Sequence, residues 1–586
     1  MKKILVSIIV SMTVLLVSAQ KLSIEKTFKL PGVSSNSNLA NVEYNPEDKT
    51  TSLQYIANWP GYTVFDKFIF NEQLEYVKTE TKKYTFIDML KDYFKTQYSW
   101  FGFNGEDYTK ESVWVYRNFK QEIIAKKVTY NYKWNWLMMG YSKTMKFAEK
   151  VVIKGLEGGR LFLYDRIDNS NTGDVIAITG LRRAKGDKDK TKVFQQARKF
   201  QFIKIKSDFT SEILETIDFP HNMGISFIKT ITNKEIIVDE SGSELDVSMG
   251  GSAAGDLGNG DIAIVFSPIK SMLGSKFVDP NPGNHVMVIV GGDGKIKSKV
   301  PLNSPTSGWV IEDFIMSDDG KDVYFYGPAK DGAYVNKVQP VNSAVSQGQS
   351  EVKDIKYKNF QLMKLTDNKL AWIKTTDIKE FSAKAVNPPS QKKSPDYTGK
   401  NFEKSLSIVT PAGEVIIAGQ KYTTKRIPDP NSNVEGATMK VKDAYKHLVM
   451  FHFGIKGDLK AQYGVVRDKN NKWAKRSLTP QYAYCNEDAS KLYWVYGEIK
   501  GLRRGFSVGG MGLSKKKLLF YPTVGEIDLV KSELSEFESF GAIDDKQVYF
   551  TNPNFPQLLS PDKKNITFIG EDKPGEVIWL GRFPVK

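Results

Sequence analysis

The chain has 586 residues, with 83 Lys and Arg against 67 Asp and Glu, a formal charge of +16. Its one cysteine, Cys485, excludes an intramolecular disulfide, so stability has to come from packing. No apolar run reaches the roughly 20 residues of a membrane-spanning helix, and an exported chain this basic meets anionic sugars, lipid phosphates and acidic proteins rather than nucleic acid.

Taken in chain order, the first element is a secretory signal at residues 1–19. Lys2 and Lys3 precede the apolar run ILVSIIVSMTVLLV, and VSA supplies small residues before a cut at Gln20. The mature chain, 20–586, loses those two lysines and carries +14 (16 − 2). No cysteine stands at the cut to take a lipid, so the mature protein is expected to be soluble, in the periplasm or at the outer surface of a Gram-negative bacterium. Behind the signal, residues 38–80 form a first pair of hairpins. Residues 84–155 are less regular. TFIDMLKDYFKTQY has Phe86, Leu90, Tyr93 and Phe94 at helical spacing, which predicts a short helix near 85–97. SVWVYRN, EIIAKKV, WNWLMMGY and AEKVVIKG then read as four strands of an aberrant unit.

Paired hairpins of alternating apolar and polar residues recur at 161–219, 223–302, 310–376, 405–465, 481–534 and 539–583. Two hairpins make four antiparallel strands, which is one propeller blade. The expected fold is therefore all-β: a single β-propeller of seven or eight four-stranded blades over 20–586, eight if the irregular segment supplies one.

The stretch LSPDKKNITFIGEDKPGEVIWL resembles the TolB-type propeller repeat through Ser560, Pro561, Asp562, Lys563, Lys564, Gly575, Ile578 and Trp579. The usual turn glycine is missing between Asp562 and Lys563, and MSDDGKDVYFYG at 316–327 is a shorter echo. The whole chain is also similar in pattern to large secreted propellers of the Bacteroidetes type. These resemblances imply architecture and supply no catalytic residue.

In such a fold the turns inside hairpins lie on one face and the connections between hairpins on the other. The connections are long at 181–199, 328–359, 423–446 and 500–516, and 387–400 opens onto the same face. Two of them begin alike, GLRRAKGDKDKTK and GLRRGF. Arg182, Arg183, Lys185, Arg503 and Arg504 are thus candidates for a cationic rim that binds phosphate, sulfate or carboxylate, or else simply a solvated face. Trp134 and Trp136, crowded with Trp100 and Trp114, are candidates for stacking on sugar rings or for packing inside an irregular blade.

Other chemistry fails on spacing. His447 and His452 lie five apart on one strand and so face opposite ways, while His221 and His285 stand apart from them. GGSAAG lacks the last glycine of a nucleophile elbow, DRIDNSNTGD lacks the glutamate of a calcium loop, and GNGDIA lacks the lysine of a phosphate loop. No metal or cofactor is called for. Two readings follow: a non-catalytic scaffold in the envelope that binds a protein, a lipid headgroup or an anionic glycan, or a propeller enzyme, hydrolase or lyase, working on polysaccharide or peptide with central carboxylates.

Overall fold

The computed structural model describes residues 21–30, 37–59, 62–85, 108–117, 123–135, 140–153, 161–169, 172–181, 199–206, 208–220, 223–231, 260–268, 271–273, 276–278, 284–305, 308–317, 319–330, 356–428, 439–467, 471, 474, 475, 477–504, 516–541, 548–552, 555–572 and 575–586. The fold is all-β and propeller-like, and Ile378–Ala383 is the only helix among the described residues. The helix expected at 85–97 lies outside them, apart from Thr85, which ends the strand Tyr76–Thr85. The strands fall into two compact units.

The unit comprising Leu90–Ile378 and Thr398–Lys400 holds three four-stranded antiparallel meanders. Their strands are Leu161–Asp168, Val175–Leu181, Lys199–Ile205 and Ser211–Asp218; Met223–Ile231, Asp261–Pro268, Asn284–Val290 and Ile296–Asn303; and Asp313–Met316, Asp322–Ala329, Asn359–Thr366 and Lys369–Asp377. These match the expected units at 161–219, 223–302 and 310–376. The irregular segment also makes a sheet of its own, from Tyr108–Arg117, Ile123–Asn135 and Gly140–Val152. The four short strands expected there are three long ones, because TYNYKWN continues IIAKKV with no Gly or Pro to break the strand.

Each sheet in this unit packs face to face on the next in sequence. Val115 and Ala125 meet Ala177 and Ile203; Ile176 and Phe202 meet Ile264 and Val288; Val265 and Met287 meet Phe325 and Met363. A middle strand is therefore apolar on both faces, as IAIVF at 262–266 shows, with every residue buried. The buried His285 sits in this core, its Nδ1 2.7 Å from Ser267 Oγ and its ring edge-on to Trp309. Burial pushes its pKa from 6.5 down to about 3. The unfolded chain thus takes up a proton that the folded chain refuses. Stability attributable to this residue is whole above pH 6.5 and falls by about 1.4 kcal/mol per pH unit as pH drops toward 3. His285→Gln is expected to flatten that part of the pH profile, read as urea midpoints of both proteins between pH 7.5 and 5.

The other unit comprises Met1–Met89, Lys379–Tyr397 and Asn401–Lys586. Ser37–Asn45, Thr50–Trp59, Tyr62–Phe70 and Tyr76–Thr85 form one meander. Phe402–Val409, Val415–Pro428, Met439–Phe453 and Leu459–Val465 form another, which the short strand Ala385–Val386 extends by parallel pairing. The last two expected units, 481–534 and 539–583, are hydrogen-bonded into one ten-stranded sheet through the bridge between Phe520 and Thr551. Its far edge is supplied by the start of the chain: Ile24–Lys29 pairs antiparallel with Val577–Pro584, Thr27 opposite Trp579.

The turn of the quoted repeat is built twice in the same way. Ser317 Oγ bonds Asp319 Oδ1 and receives the amide of Asp322, while Gly320 takes a positive φ of 71°. Ser560 Oγ likewise bonds Asp562 Oδ1 and receives the amide of Asn565, with Lys563 at φ 57°. Lysine thus occupies the left-handed position that glycine fills more cheaply, held by the side-chain bonds around it.

Candidate functional site

Over their described residues, two of the connections expected to be loops are paired strands that extend their hairpins as arms. The strands Val415–Pro428 and Met439–Phe453 stay paired out to Pro428 opposite Met439, and Lys491–Arg504 stays paired with Lys516–Asp528 out to Arg504 opposite Lys516. The physical reason lies in the sequence: QKYTTKRI and VKDAY keep β-branched and aromatic residues running where a loop would bring Gly, Pro and Asn. Arg503 and Arg504 are therefore strand residues, placed by register opposite Lys517 and Lys516. Arg182, Arg183, Lys185 and Trp136 lie outside the described residues. Trp134 is placed by register opposite Tyr141, near the end of its hairpin. On the neighbouring strand Trp114 and Tyr116 share one exposed face, with Val115 buried between them.

The strand that carries Arg503 also lines a cavity of about 660 Å³. Alternation on this strand puts Leu492, Trp494 and Tyr496 into the core shared with the 402–465 sheet, while Tyr493 and Val495 go to the opposite face. Two residues on, the same face brings up Glu498, half-buried, and a bulge between Ile499 and Gly501 precedes the arm. The opposite wall is Val465, Val466 and Arg467, just past the end of Leu459–Val465, and Phe537 and Ser539 close another side.

The guanidinium of Arg467 is buried, with a side-chain exposure of 4%. Its Nη1 donates to Thr479 Oγ1, and its Nη2 lies 3.2 Å from Glu498 Oε1 without hydrogen-bond alignment. Its Nε has no hydrogen-bond partner. Asn471 Nδ2 donates to the same Glu498 oxygen at 3.1 Å, and the Arg467 amide donates to His447 Nδ1 at 3.2 Å. The Glu536 carboxylate is held across the cavity by the amide and hydroxyl of Ser390. Lys500 is exposed at the rim, its Nζ 5.3 Å from the centre of the Tyr521 ring. The cavity thus offers two carboxylates fixed by neighbours, one buried guanidinium with unused donors, and the rings of Tyr496 and Phe537, which lie 5.3 Å apart.

Arg467 and Glu498 were not legible as site residues, since nothing in VVRDKN or YGEIK distinguishes them from solvated charges. The one usable signal was Glu498 standing two residues past Tyr496, at the end of the buried run LYWVY. His452 is placed away from His447, as their spacing requires, and sits fully buried on Glu414.

No family model matches this chain, and no curated protein matches it. Among solved structures, a mutant of Synechocystis apocarotenoid oxygenase aligns over 82% of this chain and 91% of its own at 9% identity and a TM-score of 0.25. A second mutant of that oxygenase aligns over 97% and 96% at 9% identity and a TM-score of 0.24. The β-propeller domain of the trilobed protease from Pyrococcus furiosus aligns over 81% and 96% at 7% identity and a TM-score of 0.19. At such scores the likenesses carry no argument about chemistry.

Proposed function

We propose that this chain is an exported, propeller-like protein that binds an acidic polysaccharide in the bacterial envelope, using basic hairpin arms. The observation that carries the reading is the register of the second arm, which sets Arg503 and Arg504 opposite Lys517 and Lys516. The first arm adds Lys425 opposite Lys442. Both arms leave the same end of their sheets. In a meander the second and fourth strands run alike, so Val415–Pro428 points with Leu459–Val465 toward the cavity, and Lys491–Arg504 passes the cavity on its way out. A polymer with regularly spaced carboxylates or sulfates suits such a row, since guanidinium and ammonium groups gain from several anionic contacts at once. A signal at 1–19 and a charge of +14 fit the same role.

The test is a variant with Arg503, Arg504, Lys516 and Lys517 all changed to Gln. Binding to polygalacturonate is expected to weaken by about tenfold or more at low salt, with the difference fading near 1 M salt, where the screening length falls to about 3 Å. Equal binding by parent and variant at low ionic strength would show that the arms do not carry it.

A further inference from the structure

We infer that the cavity beside Arg467 is a saccharide subsite, holding one sugar ring of the polymer while the arms hold its flanking charges. The inference takes its ligand from the reading above but stands on separate residues. A volume of about 660 Å³ has room for a hexose ring with water around it. Glu498 is the central group. Its Oε1 accepts from Asn471 and lies 3.2 Å from the Arg467 guanidinium, which leaves Oε2 with no hydrogen bond among the described residues. A carboxylate fixed in this way is a ready acceptor for a sugar hydroxyl, and it needs no reordering when the ligand arrives. The rings of Tyr496 and Phe537 supply an apolar wall for the face of a pyranose, and Lys500 at the rim can meet a carboxylate carried on that ring. Glu536, held by Ser390, offers a second fixed acceptor.

Arg467 is a positioning residue here. A guanidinium this buried, with an unpartnered Nε, is costly to keep unless it sets the charge and orientation of what lies beside it, and what lies beside it is the Glu498 carboxylate.

The experiment compares three probes on the full mature chain by calorimetry: trigalacturonate, with rings and charge; maltotriose, with rings alone; and tripolyphosphate, with charge alone. Two variants are used, Glu498→Gln and Ser539→Trp. The second fills the cavity from an exposed wall position and leaves the Arg467 and Glu498 pair intact. Both are expected to weaken trigalacturonate at least about tenfold, the size of one lost hydrogen bond to a charged group, and to leave tripolyphosphate unchanged. The four-residue arm variant is expected to weaken both anions alike. Equal loss of tripolyphosphate and trigalacturonate in the cavity variants overturns the subsite, as does unchanged trigalacturonate binding in Ser539→Trp. If the arm variant binds like the parent while the cavity variants lose trigalacturonate, the arm reading falls and the subsite stands.

Discussion

A chain lacking residues 21–30 is expected to lose at least about 4 kcal/mol of stability in the unit that contains its C-terminus. The strand Ile24–Lys29 is the outer edge of the last sheet, six residues in unbroken register with Val577–Lys29 pairing at one end and Arg582–Ile24 at the other. Its Phe28 packs on Phe68, Phe70 and Tyr76, so it also joins that sheet to the 37–85 sheet. Removing one buried aromatic costs about 3–5 kcal/mol by itself. The truncation further bares the strand Val577–Pro584 as an unpaired edge, a template for aggregation. It also strips the partner of the buried Trp579, whose Nε1 donates to Glu25 Oε1 at 2.7 Å. Glu25→Ala isolates that last effect and is expected to cost about 1–3 kcal/mol. Urea unfolding of both variants measures these losses, and a truncated chain as stable as the parent would mean that the edge strand is dispensable.

Glu414→Gln is expected to cost about 3 kcal/mol at neutral pH, because the buried carboxylate is the hydrogen-bond partner that His452 and Lys460 share. Glu414 is buried at the turn between Phe402–Val409 and Val415–Pro428, with Oε2 2.7 Å from His452 Nε2 and Oε1 receiving Lys460 Nζ at 2.7 Å. Burial acts to raise its pKa, and the hydrogen bonds from His452 and Lys460 outweigh that, so the carboxyl is held below its ordinary 4.5. A carboxyl depressed in the folded state contributes stability that is fully present above the unfolded value and disappears as pH falls through the folded one. The gap between parent and variant should therefore be widest above pH 4.5 and close below it. Amide exchange of peptides covering Val415–Gln420 and Leu448–Phe453 reads this locally. A gap that stays constant from pH 7 to pH 3 would assign the loss to shape and not to charge.

Much of the fold could be read from pattern. Strand alternation marked the units at 161–219, 223–302, 310–376 and 405–465 because a meander pairs neighbours in sequence, so each turn signal sits where its hairpin sits. The Ser, Asp and Gly spacing of SDDGK and its echo in SPDKK encode one turn locally, through side-chain bonds within five residues. The arms were misjudged as loops for the converse reason. Length and charge made TTKRIP and GLRRGF look solvated, yet a strand needs only a paired neighbour, and the pairing is a property of two segments together.

The candidate site was scarcely legible at all. Arg467, Glu498 and Phe537 come from three separate stretches, and only the face-to-face packing of the 402–465 sheet on the Lys491–Arg504 strand brings them to one cavity. By itself the sequence determined an all-β chain built largely of four-stranded sheets and a basic character, since these depend on residues close in the chain. Tertiary structure alone decided that Ile24–Lys29 completes the last sheet, that Glu414 is held by His452 and Lys460, and that the buried Arg467 lies beside the Glu498 carboxylate. Those depend on groups as much as 559 residues apart, whose meeting is set by packing and pairing energies that no local spacing records.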